Sequence, residues 1–216
     1  IAGLYKPSGG DILLNGKSIL GLSPLEIVQQ GINMSFVPED RLGMGLVGSL
    51  NVIDNVMLRS YRNSKGIFID RKAGKLKAEH IVDHYDVSTP SVYHQVKKLS
   101  GGNIQKVLLG REIDSNPQVL ITAYPARGLD IGASYNIYNV LNEQKKEGVA
   151  ILYIGEDLDV ILELCDRIMV LSNGEIMNVV NARKVTKEQL GWMMLGEQSD
   201  YGQAKQNIVE REEDHA

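Results

Sequence analysis

The sequence predicts an α/β fold with a helical insertion, and three observations predict it. From residue 97 onward short apolar runs alternate with amphipathic helical segments, the order of a parallel sheet covered by helices. The runs Val119-Leu120-Ile121 and Val149 to Ile154 are continuously apolar, as strands buried on both faces are. Between residues 50 and 96 strands are hard to find, and two helical stretches take their place, the second highly charged.

In chain order, IAGLYKPSGG reads as the last turn of a helix entering a Pro/Ser/Gly turn. DILLNGKSIL alternates as a hairpin around Asn15-Gly16. Ser23-Pro24-Leu25-Glu26 is a complete helix start, with Ser at the N-cap, Pro at N1, Glu at N3 and Gly31 as the stop. INMSFV is a strand and PEDRLGMG a loop. LNVIDNVMLRSY and RKAGKLKAEHIVDHY form the helical insertion. A helix follows from Ser100 to Asn116-Pro117, with Ile104, Val107 and Leu108 on one face, and then a strand over 118–122. A helix over about 131–147 buries Ile137, Val140 and Leu141, with Lys145, Lys146 and Gly148 where the helix dipole and C-capping prefer them. VAILYI is a second buried strand. Leu158, Ile161, Leu162 and Cys165 make one helical face, which places Cys165 in the core. RIMVL-SNGE-IMNVV is a hairpin on Asn173-Gly174, and Thr186 with Gln189 caps a last helix through Leu195. The organisation expected is a core over 1–49 and 97–185, a helical subdomain over 50–96, and a C-terminal helix with an acidic, mobile tail over 186–216.

Composition bounds the function. A chain of 216 residues holds a sizeable core. Lys+Arg 23 against Asp+Glu 27 gives net −4, which argues against nucleic acid as the main partner. The single Cys165 excludes a disulfide framework and fits a reducing compartment. No apolar run approaches the ~20 residues needed to cross a bilayer, and no signal-peptide pattern is present. A membrane role would be peripheral.

The sharpest chemical signal is KLSGGNIQK, 98–106. Ser100 sits at an N-cap, and Gly101 and Gly102 occupy the first helical turn, where glycine is a poor helix former. Two missing Cβ atoms let an anion approach exposed backbone N–H groups, where the helix dipole favours negative charge. A flexible cap is the plainer alternative. The strand tip Thr122-Ala123-Tyr124, by contrast, carries no acid, base or nucleophile where an open α/β sheet delivers reacting groups. Gly16-Lys17-Ser18 is a decoy: its spacing from Gly10 is one residue too long for a phosphate loop, and the interior is an apolar strand. His80 and His84 stand one helical turn apart in a Lys/Glu-rich helix with no third ligand nearby, so a solvated face is favoured over a metal pair. For Glu39-Asp40-Arg41 a loop salt-bridge cluster is favoured over an acid pair. Asn33-Met34-Ser35 fits a glycosylation sequon that a cytosolic strand makes moot.

Spacing joins these pieces. LSGGN-Q-K, then about fifteen helical residues, the strand VLIT, a Pro turn and RGLD together resemble the ATP-binding cassette ATPases. LSGGN-Q-K matches the signature motif (Ser100, Gly101, Gly102, Asn103, Gln105), the following strand the Walker B strand, and Arg127-Gly128-Leu129-Asp130 the D-loop. DRIMVLSNGEI matches the strands after the switch region, and IAGLYKPSGGDILLNGKSI the segment that follows the phosphate loop. The resemblance runs from residue 1 to about 196. It implies a P-loop NTPase-type sheet flanked by helices, with a helical subdomain.

The departures are equally specific. The family's G-x-x-x-x-G-K-[ST] phosphate loop is expected just before Ile1, so the fold expected lacks that loop and its strand. Ala123 and Tyr124 stand where the family has Asp-Glu, Glu156 where it has the switch histidine, and Glu39 where it has the Q-loop glutamine. No complete catalytic set can be assembled, because phosphoryl transfer depends on positioning and charge neutralisation by such groups. VPEDR, the A-Y-P-A-R-G-L-D string and the altered switch resemble the degenerate second cassette of simple-sugar and nucleoside importers. That resemblance implies an upstream cassette in the same polypeptide, membrane permease subunits, and a peripheral place on the cytoplasmic face of the membrane. It also implies a composite ATP site, with Mg2+, completed in trans by this signature. The chain alone is then expected neither to hydrolyse ATP nor to bind it tightly, and to self-associate through sheet surface left uncovered. The alternatives are an inert regulatory module or a soluble, non-transport member of the family.

Overall fold

The structure, a computed structural model, describes residues 1–14, 16–31, 33–60 and 69–196. Asn15, Ile32, Tyr61 and the tail after Gly196, on which some expectations above fall, lie outside the described residues. The chain forms two compact units, residues 1–155 and 156–216.

The first unit opens with a short antiparallel pair, β1 (Leu13–Leu14) and β2 (Lys17–Ser18), with Gly16 at φ +79° in the turn. Helix α1 (Pro24–Gln29) begins as its residues dictate. The Ser23 hydroxyl accepts from the Glu26 amide at 3.3 Å, the Glu26 carboxylate accepts from the Ser23 amide at 2.7 Å, and Gly31 follows the helix at φ +85°. Strands β3 (Met34–Val37), β4 (Val119–Ala123) and β5 (Ala150–Ile154) make a parallel sheet in the order β3-β4-β5. The registers Phe36↔Ile121 and Ile121↔Leu152 place β4 in the centre.

Residues 41–45, read as loop, form one π-helical turn. Asp40 explains it: its carboxylate accepts from the amides of Leu42 and Gly43 at 3.2 and 2.8 Å, capping the turn. Helices α2 (Val52–Ser60) and α3 (Arg71–His84) follow. Helix α4 (Gly101–Ile113) then runs through the middle of the unit, with Ile104, Val107, Leu108 and Leu109 in the core beside Val37 and Leu120. It approaches α3 closely at Gly110, where a Cβ would stand 2.7 Å from both Ile81 Cγ2 and Tyr85 Cδ2. At the sheet side, the Ser35 hydroxyl donates to the Glu112 carbonyl at 2.8 Å. Glu112 itself is buried and ion-paired to Arg111 at 2.7 Å and Arg59 at 3.3 Å, so this charge enters the interior compensated. Helix α5 (Ile131–Lys146) covers the sheet with Ile137 and Leu141.

The second unit holds α6 (Leu158–Leu164), the antiparallel hairpin of β6 (Arg167–Ser172) and β7 (Glu175–Asn181), and α7 (Lys187–Met194). Asn173 and Gly174 both take positive φ, +50° and +82°, as a two-residue hairpin turn of this sequence requires. Ile168, Val170, Ala182 and Leu190 form its core. Cys165 packs against that core together with Leu158, Ile161 and Leu162, the helical face expected of it. Helix α6 stops at Leu164, so Cys165 makes this contact as the partly buried C-cap. Thr186 and Gln189 form the capping box expected of α7.

Candidate functional site

The signature residues start α4. Ser100 is exposed in the extended conformation of an N-cap, and its hydroxyl accepts from the Asn103 amide at 3.4 Å and the Asn103 side-chain amide at 2.9 Å. The Asn103 side-chain oxygen accepts from the Ser88 amide at 2.8 Å, tying the turn to the segment after α3. The amides of Gly101 and Gly102 belong to the first turn, where no intrahelical acceptor exists. The missing Cβ of Gly102 has a second use that the sequence did not reveal. At Gly102 a Cβ would stand 3.3 Å from Ala133 Cβ, and at Gly101 3.6 Å from Leu129 Cδ2 and Arg41 Nη1. At Gly102 the helix start therefore packs closely on the first turn of α5.

Gln105, one turn further, is fully buried. Its side-chain oxygen accepts from Arg41 Nε at 2.8 Å, and its Nε2 has no hydrogen-bond partner among the described residues. Arg41 also donates from Nη2 to the Arg127 carbonyl. Burial pushes the Arg41 guanidinium down from its ordinary value, yet arginine stays charged throughout the physiological range. Arg127 in turn donates to Glu39 Oε1 at 2.5 Å, and its guanidinium lies 5.6 Å from the centre of the Tyr124 ring. Glu39-Asp40-Arg41 is thus no local salt-bridge cluster. Glu39 reaches Arg127, Asp40 caps its own turn, and Arg41 reaches Gln105 and Arg127.

Strand β4 ends at Ala123, and Tyr124 follows it. Ala123 and Tyr124 offer no carboxylate for a metal, so this tip does not fit Mg2+. Tyr124, however, sits at φ +48°, a left-handed conformation that a bulky side chain adopts only when its surroundings enforce it. Its amide donates to the Ile154 carbonyl at 2.8 Å and its carbonyl accepts from the Arg127 amide at 3.1 Å. Gly128 takes φ +69°, Leu129 packs on the core, and Asp130 caps α5 by accepting from the Ala133 amide at 2.9 Å. Glu156 is exposed and opens the second unit. Among the described residues, no group of three or more His, Cys, Asp or Glu could hold a metal, and His80 and His84 stack in the open with ring centroids 5.4 Å apart. No helix among the described residues is long and apolar enough to cross a membrane.

The structure thus brings Glu39, Ser100 to Gln105, Tyr124 and Arg127 to Asp130 into one connected region, and the residue joining them, Arg41, is one that the sequence reading confined to a local salt-bridge cluster. The sequence profile of the ABC transporter family matches residues 1–125. The chain belongs to the ABC transporter family. Among curated ABC proteins, it is 40% identical over 209 residues to the guanosine import ATP-binding protein NupO of Bacillus subtilis, covering 94% of this chain and 40% of that protein. It is 39% identical to the nucleoside import ATP-binding protein NupA of Lactococcus lactis, covering 91% and 39%. The ribose import ATP-binding protein RbsA of Clostridium tetani is 38% identical, with 88% and 38% covered. The chain spans about two fifths of the length of these relatives. The ABC cassette MJ0796, solved as a dimer in a post-hydrolysis state with ADP and Pi, shares the fold at TM-score 0.71 and 21% identity, over 86% of this chain and 78% of that one.

Proposed function

We propose that this chain is a nucleotide-binding cassette of an importer for simple sugars or nucleosides, whose signature turn completes an ATP site held chiefly by another cassette. That other cassette is proposed to lie upstream in the same polypeptide, and permease subunits anchor the pair at the cytoplasmic face of the membrane. The observation that carries the reading is a contrast within one region. The start of α4 carries an exposed Ser100 and first-turn amides without an intrahelical acceptor, while the tip of β4 carries Ala123 and Tyr124 and can neither hold a metal nor activate water. Ser100 and the Gly101 and Gly102 amides would hold the terminal phosphate of ATP, and Mg2+ would belong to the other cassette's groups. Bound ATP supplies the phosphoryl group, and this chain supplies oriented donors. The import functions of NupO, NupA and RbsA support the substrate class.

The test is Ser100→Arg against Tyr124→Phe in the assembled importer, with ATP turnover and uptake measured and folding checked by circular dichroism. Loss of a well-placed transition-state donor costs ~10²–10³ in rate, and the long side chain adds a steric block, so Ser100→Arg is expected to abolish both activities. Tyr124→Phe is expected to stay within a few-fold of the parent. Near-normal uptake by Ser100→Arg overturns the composite-site reading in favour of a regulatory module.

A further inference from the structure

The geometry points to Arg41 as a positioning residue that sets the signature turn against the 127–130 segment, an inference that rests on the composite-site reading above. One guanidinium holds two elements that are distant in sequence. Its Nε donates to Gln105 of α4 at 2.8 Å, and its Nη2 donates to the Arg127 carbonyl. Its Nη1 lies 3.6 Å from where a Cβ of Gly101 would stand. The planar fork fixes the relative angle of these partners, which a point charge cannot do.

Gln105 supplies the second argument. It is fully buried, and its side-chain nitrogen meets no acceptor among the described residues. A buried amide half-satisfied in this way costs stability, and an apolar side chain of similar size would avoid the cost. What Gln105 offers instead is its oxygen, and that oxygen holds Arg41. Glu39, two residues before Arg41, holds the other end of Arg127 at 2.5 Å. The 39–41 segment therefore grips Arg127 by carbonyl and guanidinium together, and α4 by Gln105. Any shift of this segment is passed to the donors at Ser100, Gly101 and Gly102, because the same guanidinium holds both sides.

The experiment uses the complete importer and compares Arg41→Met, Gln105→Met, the double variant, Ser100→Arg and the exposed-site control His80→Ala. ATP turnover is resolved into kcat and KM, with folding followed by circular dichroism. Misplacing reacting groups by ~1 Å costs ~10²-fold, so Arg41→Met is expected to lower kcat by 10–100-fold. KM for ATP is expected to stay within ~2-fold, because uniform binding is held by the other cassette. Gln105→Met is expected to match it, and the double variant to fall no further, since both act through one bond. His80→Ala is expected to match the parent. Should Arg41→Met fail to fold, Arg41→Lys, which keeps the cation and loses the fork, decides by the same criterion. The inference is overturned alone if Ser100→Arg abolishes turnover while the deciding Arg41 variant stays within ~3-fold of the parent, or if the losses in the double variant multiply. If Ser100→Arg also leaves turnover intact, the composite-site reading falls, and the inference falls with it.

Discussion

Thr122→Val is expected to stabilise the first unit without touching turnover. Thr122 lies near the end of the central strand, paired in register with Val37 on one side and Tyr153 on the other, and is fully buried. Its hydroxyl has no hydrogen-bond partner among the described residues. A buried polar group left unmade costs ~1–3 kcal/mol, and replacing it by an apolar group of the same shape recovers most of that. Valine keeps the β-branch, so the strand preference and the restricted rotamer are retained. The gain expected is about 1–2 kcal/mol. For a chain of this size each kcal/mol moves Tm by ~2–4 °C. Urea and thermal unfolding followed by circular dichroism measure it, with ATP turnover of the assembled importer measured alongside. A loss of 1 kcal/mol or more would show that the hydroxyl is bonded in the folded protein. A fall in turnover would show that the tip of β4 is not chemically idle.

Gly110→Ala gains ~1 kcal/mol of helix propensity but forces a methyl within 2.7 Å of Ile81 and Tyr85. Overpacking costs ~1–3 kcal/mol, so a net loss is expected in the urea midpoint, and a gain would mean that α3 yields at this contact. Burial, followed by the charges of Asp114, Glu147 and Glu143, pushes the Tyr85 hydroxyl up to about 12. The neutral phenol is thereby favoured in the folded state. Its contribution is fully present below pH 10 and is lost as pH rises from 10 towards 12, where the unfolded chain binds fewer protons. Tyr85→Phe is expected to flatten the stability curve in that window, and an unchanged alkaline slope would contradict the assignment.

What the sequence disclosed and what it hid divide along physical lines. Both capping boxes and the Asn173-Gly174 turn depend on residues within three positions of each other, so their chemistry is written locally. Ser100 as the N-cap of α4 was legible for the same reason. The pairs Arg41–Gln105 and Glu39–Arg127 are 64 and 88 residues apart, and no periodicity or turn preference encodes them. The face of Leu158, Ile161, Leu162 and Cys165 was legible too, because helical periodicity is local, although α6 itself stops at Leu164. The second use of Gly102, close packing on Ala133, lay equally out of reach, because a glycine reads the same whether it opens space for a ligand or for a neighbouring helix.

The central claim is that the start of α4 faces ATP held by another cassette, and photolabelling tests it most directly. An ATP analogue carrying a photoreactive group on its terminal phosphate is bound to the assembled importer, irradiated, and the labelled peptides are mapped by mass spectrometry. Label on this chain is expected within residues 99–106, together with label on the phosphate loop of the other cassette, and Ser100→Arg is expected to remove the first. Label on the other cassette alone, or on this chain at 123–127 in place of 99–106, would contradict the account.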